Sequence, residues 1–222
     1  DMPVLSADFG HVTRLTLNGN KNITAISPFL QRFPNLRILE LRSFDLEPSD
    51  LPSLDLSGLT TLELKNCDLV LTPENEAALL TMSQIEVLDL SGNPIGYLFD
   101  LKLLPTLKTL DLSSTYISQV PPGFLDLPEL HKATLRDNLI TELPEAMFEL
   151  PQGRTRGFDF AANPLSIESR NRIKTYVRET SHDFQVPADP FDIELARQLF
   201  PALDEQGASD MIYGLPGTLA QG

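Results

Sequence analysis

The sequence predicts an α/β solenoid, a right-handed coil whose short strands stack into one parallel sheet along its concave face. Three observations predict it. An apolar pattern recurs seven times at near-constant spacing, each copy has a strict two-residue period, and the pattern stops after Leu165. Each copy reads apolar-x-x-apolar-x-apolar-x-x-(Asn or a substitute), usually with Leu or Ile two positions later.

The copies begin at Val12, Leu36, Leu59, Ile85, Leu107, Leu130 and Thr155, so the steps are 24, 23, 26, 22, 23 and 25 residues. In Leu15-x-Leu17, Leu39-x-Leu41, Leu62-x-Leu64, Leu88-x-Leu90 and Leu110-x-Leu112 both leucines of a short strand point into the core. Ala133-x-Leu135 and Phe158-x-Phe160 complete the series. The polar residue that follows sits where the chain bends away, and an Asn amide there satisfies buried backbone groups. Asn20, Asn93, Asn138 and Asn163 occupy that place. Thr115 offers one polar atom, Cys67 a weak one and Phe44 none, so a local defect is expected near residue 44.

Between the strands, Thr72-Pro73-Glu74 opens a helix through Leu80, with Thr72 as N-cap and Pro73 in the first helical position. Residues 120–124 and 143–148 read as extended or short 3₁₀ return segments. After Asn163-Pro164-Leu165, Ser166 caps an amphipathic helix over 166–180, with Ile167, Ile173, Tyr176 and Val177 on one face and four bases off it. Glu168 suits the positive end of this helix and Arg178 the negative end. Such a helix covers the exposed last repeat.

Residues 181–222 change composition. His182 to Pro190 reads as a linker, followed by helical patterns at Ile193–Phe200 and from Glu205 to about Tyr213, which Gly214-Leu215-Pro216-Gly217 breaks. The tail holds seven acids against one Arg, and its apolar faces are expected to pack on something outside this sequence. The predicted organisation is therefore an N-terminal flank at 1–11, repeats at 12–165, a capping helix at 166–180, and a linker with short helices at 181–222 leading to a downstream domain.

The 222 residues are 41% hydrophobic and 22% charged, enough for a packed core. Seventeen bases against thirty-one acids give −14, which argues against nucleic-acid binding, since neutralising phosphates takes a basic face. A single cysteine excludes a disulfide framework and a Cys-based zinc site. No apolar run reaches the ~20 residues of a membrane span. Asp1-Met2-Pro3 has neither a basic nor an apolar leader region, so no signal peptide is expected, and Asp before Met suggests a fragment.

Candidate chemistry is sparse. Cys67 occupies an inward ladder position and reads as a buried structural thiol rather than a nucleophile. His11, His131 and His182 have no ligand spacing, and no cofactor or metal is expected. Gly214-x-x-Gly217-Thr218 lacks the Lys of a phosphate loop and reads as a turn, and Asn22-Ile23-Thr24 is a lone glycosylation triplet.

The concave face is more informative. The residue between the paired core positions points outward, giving the column Thr16, Glu40, Glu63, Asp89, Asp111, Thr134 and Asp159. Parallel strands stack ~4.8 Å apart, so five acids of seven make a line of like charge. The next column is Asn18, Arg42, Lys65, Ser91, Ser113, Arg136 and Ala161. Arg42 and Lys65 offset Glu40 and Glu63, which leaves residues 89–111 least compensated. The candidate substrate-binding residues are thus Glu40, Glu63, Asp89, Asp111, Asp159, Arg42 and Lys65, forming a docking surface for a basic protein segment. The plainer alternative is solvated repeat filler, since exposed charges cost little in water.

Residues 12–165 resemble leucine-rich repeats. The junction Ala162-Asn163-Pro164-Leu165-Ser166-x-Glu168-Ser169-Arg170-x-Arg172-Ile173-x-x-Tyr176 is similar to that after the last repeat in bacterial effectors that join such repeats to a novel E3 ubiquitin ligase domain. The tail, with Ala196-Arg197-x-Leu199-Phe200-Pro201 and Gly214-Leu215-Pro216-Gly217-Thr218, resembles connecting sequence in large proteins of this type. The resemblance implies a secreted bacterial protein acting in the host cell, where the repeats select a protein substrate and restrain a downstream ligase domain. That domain's cysteine would accept ubiquitin from a loaded E2. The repeats here are longer than those of the best-known enteric members, and Cys67-Asp68 is not the ligase's Cys-x-Asp, so this chain itself carries no transferase site. A free-standing adaptor or receptor-like repeat protein is the alternative.

Overall fold

The computed structural model describes residues 9–21, 26–180, 184–188 and 190–213. Strands β1 (Arg14–Asn18), β2 (Ile38–Arg42), β3 (Thr61–Lys65), β4 (Val87–Asp89), β5 (Thr109–Asp111), β6 (Lys132–Thr134) and β7 (Phe158–Asp159) form one parallel sheet in sequence order. Pairing places Thr16, Glu40, Glu63, Asp89, Asp111, Thr134 and Asp159 side by side, the column that the repeat spacing assembles. This is the leucine-rich repeat solenoid.

The register follows from burial, because a one-residue slip would turn every leucine outward. Leu62, Leu64, Leu88, Leu90, Leu110 and Leu112 are fully buried, each worth ~1.5–3 kcal/mol relative to exposure. Stacking continues this core from coil to coil. Only the first coil is looser, with Leu15 and Leu17 half-buried.

Where the ladder residue is asparagine, it bolts its coil to the one before, as Asn93, Asn138 and Asn163 do. Asn93 Oδ1 accepts the Cys67 and Leu69 amides at 2.9 and 3.0 Å, and its Nδ2 donates to the Leu64 and Leu90 carbonyls. Asn138 treats Thr115, Ile117, Leu112 and Leu135 the same way. The expected defect at Phe44 does not disturb the sheet, since β1, β2 and β3 pair over five residues each. The Phe44 ring is buried and fills the slot by packing, while the Cys67 thiol donates weakly to Leu41 and Lys65 carbonyls at 3.5 and 3.3 Å.

The return segments are short. Helix α1 (Ser27–Leu30) is a single turn, and α2 (Pro73–Leu79) is capped by Thr72, whose hydroxyl accepts the Asn75 amide. 3₁₀ turns span Leu51–Ser53, Leu101–Leu103, Phe124–Asp126 and Glu145–Met147, and α3 (Gln152–Thr155) precedes β7.

Helix α4 (Ile167–Thr180) closes the last coil. Ser166 Oγ accepts the Ser169 amide, and Ser169 Oγ in turn accepts the Leu143 amide and donates to Glu142. Ile173, Tyr176 and Val177 are buried as expected, but Ile167 is 80% exposed. At 100° per residue Ile167 lies about 120° from Ile173, and buried Ser169 takes the inward position instead. The side chain of Arg178 lies outside the described residues.

Residues 184–188, expected within a linker, belong to the core. Phe184 is fully buried, stacks on Tyr176 at 5.2 Å and meets the edges of Phe148 and Phe160. Its carbonyl accepts the Phe160 amide, extending the coil-to-coil pairing by one step, and Val186 and Ala188 are buried behind it. The tail packs on the chain in part, and Leu195, Leu199, Phe200 and Met211 stay exposed. Helix α5 (Pro190–Leu199) packs on α6 (Glu205–Tyr213), and α6 on α4, burying Ala196 and Ala208. The Asn22 triplet, His182 and the turn from Gly214 lie outside the described residues. Among the described residues no helix is long and apolar enough to cross a membrane.

Candidate functional site

The acids of the sheet face are held, not solvated. Glu40 accepts from Arg14 Nη2 and Thr16 Oγ1, each at 2.7 Å. Lys65 Nζ bridges Glu63 at 3.0 Å and Asp89 at 2.9 Å, and Arg42 approaches Glu63 at 3.6 Å. Asp159 pairs with Arg136 Nε at 3.3 Å and accepts the Ala161 amide. Glu40, Asp89 and Asp159 are each less than a tenth exposed.

This corrects the expectation that nothing basic reaches Asp89. Neighbouring parallel strands are ~4.8 Å apart, a gap that a lysine stem spans. Burial opposes the charge on Lys65, but its hydrogen bonds to the Asp89 and Glu63 carboxylates and their negative charge outweigh it and raise the lysine pKa above its ordinary value. The uncompensated charge narrows to Asp111. Its carboxylate accepts the Ser113 amide and hydroxyl at 2.9 and 2.5 Å, and it alone of the column's acids has no ion pair among the described residues.

The rejected nucleophile stays rejected. Cys67 is fully buried, and burial pushes its thiol above the ordinary range despite backbone hydrogen bonds from Phe44 and Ser43. Such a thiol is protonated and inaccessible. His11 and His131 are exposed, and among the described residues no group of three or more His, Cys, Asp or Glu could hold a metal.

Sequence reasoning passed over a second column. The position between the ladder residue and the following Leu or Ile is Asp45, Asp68, Pro94, Tyr116, Leu139 and Pro164, all exposed except half-buried Asp68. Each follows the column residue of its own strand by five positions, so the paired strands carry these residues, one per coil, out beyond the C-terminal edge of the sheet. Four consecutive coils therefore present an apolar residue there. Reading that position down the alignment, as was done for the acids, would have found it. Tyr116 sits at φ +61°, a left-handed conformation uncommon for a bulky residue. A separate cleft of about 630 Å³ runs beside α4, floored by Phe148 and Tyr176, with Arg172 on its rim bridging Glu145 and Glu168.

Residues 106–127 match the Leucine Rich Repeat family. Over 126 residues the chain is 32% identical to the U2 small nuclear ribonucleoprotein A' of Mycosarcoma maydis, covering 55% of this chain and 51% of that protein. Over 146 residues it is 31% identical to the Leucine-rich repeats and immunoglobulin-like domains protein 3 of Homo sapiens, covering 64% of this chain and 13% of that protein. The chain thus matches about half of the first relative and a smaller part of the second. Among solved structures, human 5T4 (Wnt-activated inhibitory factor 1, trophoblast glycoprotein) is similar at a TM-score of 0.58 and 22% identity, covering 81% of this chain and 69% of that one. At that identity the likeness is one of fold. The chain carries a leucine-rich repeat domain, an architecture consistent with protein–protein binding.

Proposed function

We propose that this domain recognises a protein partner through the open face of its sheet, and that the segment it takes is basic. One observation carries the reading: Asp111 stands in mid-sheet with its carboxylate oriented by Ser113 and, among the described residues, no ion pair. The other acids of the column are already paired, so on the sheet face a cation arriving from a partner is drawn to Asp111. Glu40, Glu63, Asp89 and Asp159, with Arg42 and Lys65, set the orientation and sign of the surface around it.

At finer grain, the domain is the substrate-selecting and autoregulatory arm of a secreted bacterial E3 ubiquitin ligase acting in the host cytoplasm. The support is the sequence of the 162–176 junction, which contains the last ladder asparagine and the start of α4. The parent protein would carry the cysteine that receives ubiquitin from a loaded E2. The second reading, a free-standing adaptor or receptor-like repeat protein, draws support from the matched relatives, neither of which is named a ligase.

Ubiquitin transfer decides between them. The parent protein, intact and with its repeats deleted to remove restraint, is incubated with E1 and a panel of E2 enzymes, with the 222-residue chain as blank. A thiol-sensitive ubiquitin adduct on the parent protein alone supports the ligase. No adduct from the repeat-deleted form leaves a binding module. In either case, substitution of Asp111→Asn is expected to weaken partner binding and to flatten its salt dependence. Unchanged affinity and salt response would sink the basic-segment reading.

A further inference from the structure

Beside Asp111, the C-terminal edge of the sheet is apolar over four coils. Pro94, Tyr116, Leu139 and Pro164 each lie five positions past the column residue of their own strand, and strands ~4.8 Å apart bring them out one per coil over about 14 Å. Tyr116 and Leu139 are 62% and 51% exposed, and the Leu139 amide donates to the Ile117 carbonyl, which locks the two coils together. Single exposed apolar residues are normal on a protein surface, but a contiguous row of them rimmed by polar residues marks a contact site. Two carboxylates without an ion pair among the described residues border this row, Asp111 on the sheet face and Asp137 at the bend, where it accepts the Ser114 hydroxyl.

We infer that this row is an apolar shelf which, together with Asp111, takes a partner segment that pairs one lysine or arginine with one large apolar side chain. The inference rests on the protein-recognition reading and gives that partner its chemistry. Charge complementarity selects the occupant. Unpaired carboxylates next to an apolar shelf admit a cation beside a hydrophobe, and the net charge of −14 disfavours an acidic partner or a second copy of this chain. Tyr116 suits an anchor, since a tyrosine supplies large contact area with a polar tip and loses little conformational freedom.

The test is a selection of displayed random dodecapeptides on the immobilised 222-residue chain, followed by binding of one selected, fluorescently labelled peptide. The selected peptides are expected to share a basic and a bulky apolar residue at fixed spacing. Affinity is expected to fall at least about tenfold with Asp111→Asn and with the double variant Tyr116→Gly, Leu139→Ser, as for truncation of a binding anchor. Leu103→Ser, equally exposed but on a return turn, serves as the matched control and leaves affinity within about twofold. Glycine fits the left-handed backbone at position 116, so the thermal midpoint of the Tyr116→Gly single variant is expected to hold or rise, which separates lost contact from lost fold.

Selection of no such pair, or full binding to the double variant, overturns the shelf. If the peptide loses affinity with Asp111→Asn but not with the double variant, recognition by the sheet face survives and the shelf alone fails. If neither variant matters, both readings fail together.

Discussion

Asn138 shows how much one side chain does in this fold. It is 5% exposed, and its amide oxygen accepts from the Thr115 amide, the Thr115 hydroxyl and the Ile117 amide, while its nitrogen donates to the Leu112, Leu135 and Arg136 carbonyls. These groups belong to two coils, so the side chain replaces the backbone ladder that a bend cannot make. Truncation removes every bond at once and strands buried donors and acceptors, each costing ~1–3 kcal/mol when unsatisfied. Partial relaxation keeps the total below the simple sum. Asn138→Ala is therefore expected to lower unfolding stability by about 3 kcal/mol in urea titration. A loss under about 1 kcal/mol would mean that the coils are held by leucine packing alone. Phe44 illustrates the exception: an apolar ring in the equivalent slot donates nothing, and a thiol and close packing stand in its place.

At the scale of elements, the C-terminal closure is denser than a single capping helix. Phe184 meets Phe148, Phe160 and Tyr176 and pairs its carbonyl with the Phe160 amide, so a non-repeat segment completes the last coil before α6, backed by α5, packs on α4. Phe184→Ala would empty the centre of this aromatic cluster, and such truncations cost ~3–5 kcal/mol in well-packed cores. We expect that loss in denaturant unfolding, together with faster amide exchange in α4 than in β3 and β4. Equal exchange in both regions would show that the cluster does not hold the cap. The seven strands and their register were legible because Leu-x-Leu has a period that only a strand satisfies, and Thr72-Pro73 announced α2 by its capping chemistry. Residues 184–188 were not legible, because a lone Phe among prolines and aspartates carries no period. Helices α1 and α3 were missed for a related reason, since single turns are too short to show one. In the site, the acid column followed from period two, whereas the reach of Lys65 to Asp89 depends on a side-chain conformation that no spacing encodes.

Over the whole molecule, a solenoid is held by nearest-neighbour contacts, so its ends need not be equally stable. The C-terminal end is closed by α4 and Phe184. At the other end β1 forms the sheet edge, and Leu15 and Leu17 are half-buried where their counterparts in the inner coils are fully buried. Opening is therefore expected to start at the N-terminal coils. Cys67 reports on it, because it lies in the third coil and is fully buried. In rising urea, thiol labelling should run ahead of the loss of overall secondary structure, whereas coincident curves would show one cooperative unit. The same residue gives the pH dependence. Burial raises the Cys67 thiol in the folded state above its ordinary value, and for Lys65 hydrogen bonds to the Asp89 and Glu63 carboxylates do the same against the opposing effect of burial. A group raised on folding contributes stability that is full below its unfolded pKa and is lost as pH rises through the folded one. For the thiol that loss starts at about pH 8.5, and for the lysine at about pH 10.4. The urea midpoint is thus expected to hold from pH 7 to 8 and to fall between pH 9 and 11. In Cys67→Ala the fall should start later, since the raised groups that remain, Lys65 and the exposed Lys102, are lysines; an unchanged profile would mean that the chain opens before the thiol ionises.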